Sequence, residues 1–414
     1  MIGAMMRIGA LVSGALVISS AVSAQAAPKP SSDYLYLWSA SADSTKPDFL
    51  AVVDARATAA SYGKIIGTVA VPGLKNGPHH TEHAMPADGR LFANGFAGGQ
   101  SFIFDMTDRA HPKLDGQFGE IAGMMHPHSF LRLANGNVLA TFQMQHDGQG
   151  MAPGGLAELT NRGTLVRSVS ANRPGIDRRI RPYSAVIVEK LDRIVTTTTD
   201  MDGKEPVRAV QLWRLSTLEL LQTFDLPDGP RHDEGAFTAE PRLLADGKTV
   251  LVSTFNCGLY LLSGLDKGTV SGTLVSSFPN KKGTSCAIPV IAGHYYLVTV
   301  PAWSAVVSLD IADPSKPREV SRVAFGPDDV PHWISIEPNH RRVVVTGYQA
   351  MKHRVMMLNF DDVTGKLSID TRFRDADAPV PGVRMDNKTW PHGGGAAAVP
   401  HGAVFSLPAA RATP

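Results

Sequence analysis

Short runs of apolar residues, rich in valine, threonine and aromatic side chains, recur along almost the whole chain. Gly, Asp, Asn and Pro lie between them, and these residues favour turns. Convincing amphipathic helices of three turns are missing from the pattern. Typical runs are YLYLWSA (34–40), FLAVVDA (49–55), TVLVSTF (249–255) and RVVVTGY (342–348). The pattern predicts an all-β protein.

The predicted strands repeat at a regular distance along the chain. Turns such as Asp88-Gly89 and Asp246-Gly247 follow the first strand of successive units, which are spaced roughly 45 to 55 residues apart. The third strand of a unit ends in a polar corner, and segment 104–108 (FDMTD) matches segment 309–313 (LDIAD). Four strands per unit at this period are typical of a β-propeller.

Counting the units predicts seven blades in one domain over residues 28–414. The seventh blade is split between 34–71, which lacks a first strand, and 401–407, which is a lone first strand. Pairing the C-terminal strand with the N-terminal strands would close the ring and remove exposed sheet edges. The segment 361–400 is predicted to hold the last strand of blade 6 and a long loop over one face. The six complete units start near residues 79, 126, 182, 239, 285 and 332.

The N-terminus has the layout of a secretory signal peptide. Arg7 is followed by an apolar run that ends in small residues, with cleavage expected near Ala24–Ala27. Residues 1–27 are therefore predicted to be removed and the mature protein to be exported to the periplasm. No later run reaches the roughly 20 apolar residues that span a bilayer, so no membrane span is expected.

Charge and composition limit the classes of binding partner that the protein is expected to have. The formal net charge is +2, and only 19% of the residues are charged. The chain has neither a basic cluster nor an acidic tail, so a nucleic-acid partner is not expected. Glycine motifs that hold phosphates are also missing. These features favour a small-molecule substrate, and nothing in them points to a protein partner.

Histidines recur where the first strands of several blades begin. In a propeller these strands line the central channel, and the alignment places His128, His332 and His401 at equivalent positions at one mouth, with His80 beside the matching position in blade 1. Blades 6, 7, 1 and 2 are contiguous around the ring. Neutral imidazoles that converge there could share one metal ion at about 2.0–2.1 Å. Four histidines in matching positions favour a metal site over four separate strand caps.

Neighbouring residues extend the candidate site. His83 follows His80 on the same strand, and His126 precedes His128; both are alternative ligands. His79 matches His126, one step outside the ring, and either could bind the metal or support a ligand. Glu240 could accept a hydrogen bond from a ligand histidine or simply satisfy a strand end.

The kinds of ligand suggest which metal binds. The ring is rich in imidazole and has few carboxylates, which disfavours calcium and magnesium. Met124 and Met125 come directly before His126, and thioethers are soft ligands suited to copper. These methionines could also simply pack under a loop, so the ligand types alone leave the choice between copper and another transition metal such as iron open.

The two cysteines, Cys257 and Cys286, do not form a disulfide framework by number. Their positions on adjacent blades should place both near the same mouth as the histidines, in or beside the pocket. Three interpretations stay open: a disulfide, which an exporting compartment permits, a pair of thiols facing the metal, or two buried and inert cysteines.

Five segments give the chain a distant resemblance to a known family. These are GPHHTEH (77–83), HPHSF (126–130), the region 239–262, PHWISI (331–336) and PHGAVFSL (400–407). Together they resemble the selenium-binding protein family, whose bacterial members include methanethiol oxidase.

The resemblance implies a fold and an activity. It implies a seven-bladed propeller and, for the bacterial methanethiol oxidases, an exported copper protein that oxidises methanethiol with oxygen and water to formaldehyde, hydrogen sulfide and hydrogen peroxide. Typical members follow their double histidine with a cysteine linked to selenium binding. Here His79-His80 is followed by TEHAMPADG, so selenium binding at that position is not expected.

The expected function is therefore a periplasmic copper-dependent oxidoreductase that oxidises a small thiol or related sulfur compound with oxygen. His80, His128, His332 and His401 are the expected ligands. One alternative is a non-haem iron oxygenase with a four-histidine site. Another is a non-enzymatic propeller that binds metal or a protein, because propellers are common interaction scaffolds. The metal content of the purified protein would separate these readings.

Overall fold

The computed structural model describes most of the chain. It covers residue 1 and residues 30–201, 205–279, 285–347, 353–386, 388–393 and 395–409. The predicted signal peptide, with its cleavage near Ala24–Ala27, lies outside the described residues. Among the described residues, no helix has the length and apolar character needed to cross a membrane.

Seven antiparallel sheets hold nearly all of the regular structure, one sheet to each blade. Each blade contributes four consecutive strands, except that the seventh combines the last strand with the first three. Blade 1 contains β4 (Pro78–Thr81), β5 (Arg90–Gly95), β6 (Gln100–Asp105) and β7 (Lys113–Phe118); blade 2 contains β8 (Met124–Arg132), β9 (Val138–His146), β10 (Met151–Leu159) and β11 (Leu165–Ser170); blade 3 contains β12 (Pro182–Val188), β13 (Arg193–Thr198), β14 (Ala209–Arg214) and β15 (Leu220–Asp225).

The remaining strands follow the same plan. Two short 3₁₀ helices, Glu189–Leu191 and Pro301–Trp303, lie in turns. Blade 4 contains β16 (Thr238–Leu243), β17 (Val250–Thr254), β18 (Gly258–Ser263) and β19 (Ser271–Ser277); blade 5 contains β20 (Pro289–Ala292), β21 (Tyr295–Val300), β22 (Ala305–Asp310) and β23 (Arg318–Ala324); blade 6 contains β24 (Trp333–Ile336), β25 (Arg342–Thr346), β26 (Arg354–Phe360), β27 (Leu367–Ile369) and the short β28 (Val383–Arg384); β29 (Lys388–Thr389) and β30 (Gly395–Ala396) form a small hairpin; blade 7 contains β31 (Ala398–Phe405), β1 (Tyr34–Ser41), β2 (Phe49–Asp54) and β3 (Ile65–Ala70).

The architecture confirms the predicted all-β, seven-bladed propeller. Strand β31 pairs with β1 from Leu35 opposite Phe405 to Ser41 opposite Ala398, which closes the ring as expected. The pairing begins at Ala398, three residues earlier than the predicted strand 401–407.

Blade 5 differs from the predicted start near residue 285, because its first strand begins at Pro289. The backbone before Pro289 is irregular: Cys286 N–H donates to the Phe255 carbonyl and Ile288 N–H donates to the His332 carbonyl, whereas Ala287 N–H still donates to the Thr299 carbonyl in β21.

A ring of side-chain hydrogen bonds fixes where the first strands begin. In five places, a residue on the second strand of one blade donates to a carbonyl oxygen on or just before the first strand of the next blade, at distances from 2.5 to 3.1 Å. These bonds hold the strand starts in register around the axis, which is where the histidines lie. The pairs are Asn94 with Pro127, Thr141 with Tyr183, Thr197 with Ala239, Thr299 with His332, and Thr346 with His401.

The hydrophobic core lies between the faces of adjacent blades. Between blades 7 and 1, Trp38 packs at ring-centroid distances of 5.5 Å from Phe102 and 5.7 Å from Phe104, and all three are fully buried. The segment after β27 packs on blade 7, where the Trp390 ring lies 4.8 Å from Phe49. The apolar contacts lie outside the channel, which leaves the axis to polar side chains.

Candidate metal centre

An irregularity in strand β4 brings two consecutive histidines into one cluster. Pro78 pairs with Gly95 but Thr81 pairs with Ala93, so β4 contains one residue more than its partner over this stretch, a β-bulge. Side chains normally alternate between the faces of a strand, and a bulge redirects them. The His79 and His80 rings consequently stack in parallel, with centroids 4.2 Å apart and planes within 7°.

Five buried imidazoles meet at the start of the first strands. The His79 ring centroid is 4.2 Å from that of His401 and 4.9 Å from that of His128. His80 lies 4.4 Å from His128, and His332 lies 4.7 Å from His401. None of the five residues is more than 9% exposed. The structure thus brings together all four sequence-predicted ligands and adds His79 at their centre.

The five residues form two overlapping triads. His79, His80 and His128 make one, and His79, His332 and His401 make the other. Within each triad, one potential ligand atom from each residue lies within 4.8 Å of the others. The potential ligand atoms of each triad are therefore close enough to be candidates for one shared ion.

Burial keeps these histidines neutral. It lowers the pKa of His128 and of His332 to about 4, despite an opposing effect from the Glu240 carboxylate. Burial, and then the neighbouring imidazoles, hold the pKa of His79, His80 and His401 well below the ordinary value. Because a metal binds the unprotonated nitrogen, the cluster can accept an ion at neutral pH without first releasing protons.

Several imidazole nitrogens in the cluster have no hydrogen-bond partner among the described residues. The Nδ1 of His128 lies 2.7 Å from the Tyr183 carbonyl oxygen, so it donates its proton there and leaves Nε2 with a bare lone pair. That Nε2 is buried and unpartnered, as are Nδ1 of His79 and Nδ1 of His80. Buried polar atoms are normally paired. An ion held by these nitrogens would satisfy them, so the donor set fits a transition metal.

His83, an alternative ligand in the sequence analysis, lies beside the cluster and in neither triad. Its ring stacks on Trp333 with centroids 4.6 Å apart, and Trp333 in turn lies 4.8 Å from His80. Arg242 donates from Nη2 to His83 Nε2 at 3.1 Å, and the buried His83 Nδ1 has no partner among the described residues. Burial, followed by the Arg242 charge, lowers the pKa of His83.

Glu240 is a fully buried carboxylate next to His83. Its Oε2 accepts hydrogen bonds from Ser184 and Arg242, both at 2.7 Å, and lies 3.7 Å from His83 Nε2. Burial alone would raise its pKa, but Arg242, His83 and Ser184 together lower it to about 2. The carboxylate is therefore ionised, and its other oxygen, Oε1, is buried without a partner. Its closest imidazole contact in these interactions is His83, at ion-pair distance, rather than a member of the triads.

His126 and Met124 lie away from the cluster. His126 has a positive φ of 54°, and its Nδ1 lies 3.1 Å from the Phe96 carbonyl oxygen. It belongs to neither triad. Met124 is buried in an apolar cluster with Phe92 and Phe142, so its thioether packs in the core between blades 1 and 2.

Cys257 and Cys286 form a disulfide, with a Cα–Cα distance of 5.0 Å. This is the first of the three interpretations that the sequence left open. The bond lies in an apolar cluster with Leu259 and Val298, so neither sulfur offers a thiol to the histidines. The disulfide still borders the site, since Cys286 bonds the backbone of Phe255, whose ring lies 5.6 Å from that of Tyr183.

Comparisons with known proteins support the propeller fold. No protein-family model and no curated protein matches the chain. A hypothetical selenium-binding protein from Sulfolobus tokodaii is similar in structure, with 17% identity, a TM-score of 0.73, and coverage of 91% of this chain and 94% of that one. The periplasmic gluconolactonase PpgL from Pseudomonas aeruginosa has 11% identity, a TM-score of 0.63, and coverage of 91% and 99%. Apo AztD from Citrobacter koseri has 15% identity, a TM-score of 0.52, and coverage of 92% and 99%.

These identities are low, so the likeness establishes the propeller fold. The chain shares this fold with a hypothetical selenium-binding protein and with gluconolactonase-like propellers.

Sequence reasoning underestimated two residues. His79 was placed one step outside the ring because a regular strand alternates its side chains, and the bulge in β4 cancels that alternation. Tyr183 was not singled out, although its carbonyl oxygen accepts bonds from His128, Ser129 and Thr141. The Pro-His-His sequence at 78–80 was the available signal for the bulge, since proline cannot donate to the ladder and favours irregular strand starts.

Proposed function

We propose that the protein is an exported copper-dependent oxidoreductase of the selenium-binding protein and methanethiol oxidase type. Its metal ligands would come from His79, His80, His128, His332 and His401. The observation that carries the proposal is the convergence of five buried imidazoles, together with the unpartnered Nδ1 of His79, Nδ1 of His80 and Nε2 of His128 among the described residues. Export is proposed from the sequence of residues 1–27.

The ligand chemistry favours copper. The triads contain only neutral nitrogen donors, which suit copper, zinc, iron or nickel rather than calcium or magnesium. Among first-row divalent ions, such sites generally bind copper most tightly. The distant likeness to a hypothetical selenium-binding protein points in the same direction as the sequence resemblance.

The residues around the cluster restrict the substrate. His128 and His401 are fully buried and His332 is the most exposed of the five at 9%, so only a small molecule could reach a bound ion without rearrangement of the channel. The ionised Glu240 carboxylate favours a positive charge nearby, and Arg242 offsets part of that effect. Tyr183 holds the His128 ring through its carbonyl oxygen, which fixes Nε2 as the ligand atom. Copper bound here would supply one-electron redox chemistry between a thiol and oxygen.

The same measurements test two alternative functions. A non-haem iron oxygenase would use the same imidazoles, and iron in the purified protein would favour it. A metal-binding propeller without turnover is favoured by the near-complete burial of the ligands, which leaves little room for a substrate. Bound metal in the purified protein, with no thiol-dependent formation of peroxide, would favour the metal-binding propeller without turnover.

The test combines elemental analysis with an oxidase assay. The purified exported protein is expected to contain copper and to produce hydrogen peroxide when methanethiol and oxygen are supplied. His128→Asn keeps an amide N–H near the place of Nδ1 but removes Nε2, so it should lose most of the copper while retaining the β-sheet circular dichroism. His111→Ala is the matched control, because the His111 side chain is 80% exposed and lies outside the cluster. Unchanged copper in His128→Asn, or no transition metal in the wild type, would contradict the proposal.

A further inference from the structure

Tyr183 belongs to a blade whose four strands contain no histidine, yet it contacts two of the candidate ligands. It is the second residue of β12 in blade 3 and is fully buried. The centroid of its ring lies 4.0 Å from that of His128 in blade 2 and 5.7 Å from that of His80 in blade 1. One residue of blade 3 therefore reaches the histidines of two other blades.

The main-chain carbonyl of Tyr183 holds the first of these histidines. Its oxygen accepts hydrogen bonds from His128 Nδ1 at 2.7 Å and from the hydroxyls of Ser129 and Thr141, both at 3.0 Å. A carbonyl oxygen can only accept, so His128 Nδ1 carries the proton and the unpartnered Nε2 carries the lone pair. Three donors from blade 2 thus fix the carbonyl against the His128 ring.

The hydroxyl of the same residue reaches the second histidine. Tyr183 Oη lies 3.4 Å from His80 Nε2, which is the long end of the hydrogen-bond range, and both residues are buried. A hydroxyl accepts as well as donates, so it can take the proton of Nε2 when Nδ1 binds an ion. The buried His80 Nδ1 has no partner among the described residues. The contacts with Tyr183 therefore leave Nε2 of His128 and Nδ1 of His80 available.

Further contacts hold Tyr183 independently of the histidines. The N–H of the next residue, Ser184, donates to Thr197 Oγ1 at 3.2 Å, and Ser184 Oγ donates to the buried Glu240 Oε2 at 2.7 Å. The Phe255 ring meets the Tyr183 ring edge-on, with centroids 5.6 Å apart. These contacts come from blades 3 and 4, so Tyr183 is restrained by a part of the propeller that supplies no candidate ligand.

We propose that Tyr183 is a positioning residue for the metal centre, which orients His128 through its carbonyl oxygen and His80 through its hydroxyl. This inference rests on the proposed function, because it requires that these histidines bind a transition metal. A partner on the second nitrogen of a ligand histidine fixes the ring, and its loss generally lowers metal affinity by about 10- to 100-fold. Since the contact with His80 is long, loss of the hydroxyl should lower the affinity about tenfold.

The experiment is a double-mutant cycle on copper affinity. Tyr183→Phe removes the hydroxyl and keeps the carbonyl that holds His128. Metal-free wild type, Tyr183→Phe, His80→Ala and the double variant are titrated with Cu(II) against a competing chelator. Tyr183→Phe should lower the affinity about tenfold and alter the nitrogen hyperfine pattern of the electron paramagnetic resonance spectrum, but it should cost nothing further once His80 is alanine. Tyr296→Phe is the matched control, because this hydroxyl is also buried and has no partner among the described residues.

A second measurement does not depend on copper. Nuclear magnetic resonance of metal-free protein with isotope-labelled histidines should show shifted His80 ring nitrogens in Tyr183→Phe and unshifted His128 ring nitrogens. This comparison decides if His80→Ala retains no copper or fails to fold.

The outcomes separate this inference from the proposed function. Copper affinity that is unchanged in Tyr183→Phe, or a tenfold loss that persists when His80 is alanine, overturns the positioning role and leaves the oxidase proposal standing. Unshifted His80 nitrogens in Tyr183→Phe do the same. A wild-type protein that binds no copper overturns both proposals.

Discussion

Removal of the Cys257–Cys286 disulfide should destabilise the propeller without removing the metal. The replacement is Cys257→Ala together with Cys286→Ala. Alanine is preferred to serine because both sulfurs lie in an apolar cluster with Leu259 and Val298, where a buried hydroxyl without a partner would add its own cost.

The size of the effect follows from the loop that the disulfide closes. The two cysteines are 29 residues apart in sequence. A cross-link over that distance lowers the entropy of the unfolded chain by about 12 cal/mol/K, which corresponds to about 3.6 kcal/mol at 25 °C. The loop contains strands β18 and β19 and ends at the backbone bond from Cys286 to Phe255, so the cross-link also joins blade 4 to the segment that leads into blade 5.

The assay is equilibrium urea unfolding of metal-free protein, so that ligand binding does not add to the measured stability. The double variant should lose about 3–4 kcal/mol, and wild-type protein reduced in dithiothreitol should lose a similar amount. Thiol labelling of the unfolded, unreduced wild type should find no reactive cysteine. A loss below about 1 kcal/mol, or labelled thiols, would refute the cross-link as a constraint on the unfolded chain. Loss of copper from the alanine variant would show that the sulfurs support the metal centre after all.

Three further predictions concern the channel. Metal-free protein should lose stability as the pH falls from 6.5 towards 4. In this range His128 and His332 bind protons in the unfolded chain, but they stay neutral in the folded protein, where burial lowers the pKa of each to about 4. Each should contribute a loss of about 2 kcal/mol at pH 5, so His128→Asn should show a smaller shift of the urea midpoint between pH 7.5 and pH 5 than the wild type. Glu240→Gln should cost about 3–5 kcal/mol because it leaves the Arg242 charge without its partner, and adding Arg242→Gln should recover part of that loss in the same unfolding assay. Thr141→Val should weaken the hold on the Tyr183 carbonyl by about 1 kcal/mol and lower copper affinity measured by chelator competition, whereas Thr217→Val on the exposed surface should change neither.

The propeller could be predicted because its information is local and repeated. Each blade has alternating apolar strands with polar turns, and the same pattern returns seven times, so an error in one strand boundary does not alter the fold. The split seventh blade followed from a lone strand at one end and a missing one at the other. The predicted start of blade 5 was early, because the regular strand begins at Pro289 and the N–H groups of Cys286 and Ile288 bond to Phe255 and His332. Such contacts between distant segments leave no periodic trace in the sequence.

The sequence predicted which strand positions the site histidines occupy, but it did not predict the directions of their side chains. His80, His128, His332 and His401 lie together because they occupy the same place in four contiguous blades, which alignment alone can find. Whether His83 and His126 join them depends on local contacts. Arg242 occupies His83 Nε2, and a positive φ sends His126 towards the Phe96 carbonyl. These contacts come from residues that are remote in sequence or from a backbone conformation that composition does not specify.

His79 shows how one inserted residue changes the chemistry of the channel. With regular alternation in β4, His79 would point away from its neighbour His80, and the four remaining histidines would divide into two pairs. A pair of imidazoles is too few for a well-held transition metal, since catalytic sites generally use three protein ligands. The bulge between Pro78 and Thr81 turns the extra imidazole inward and completes both triads at once. Restoring regular pairing, for example by deleting one residue of this bulge, should therefore weaken metal binding by either triad.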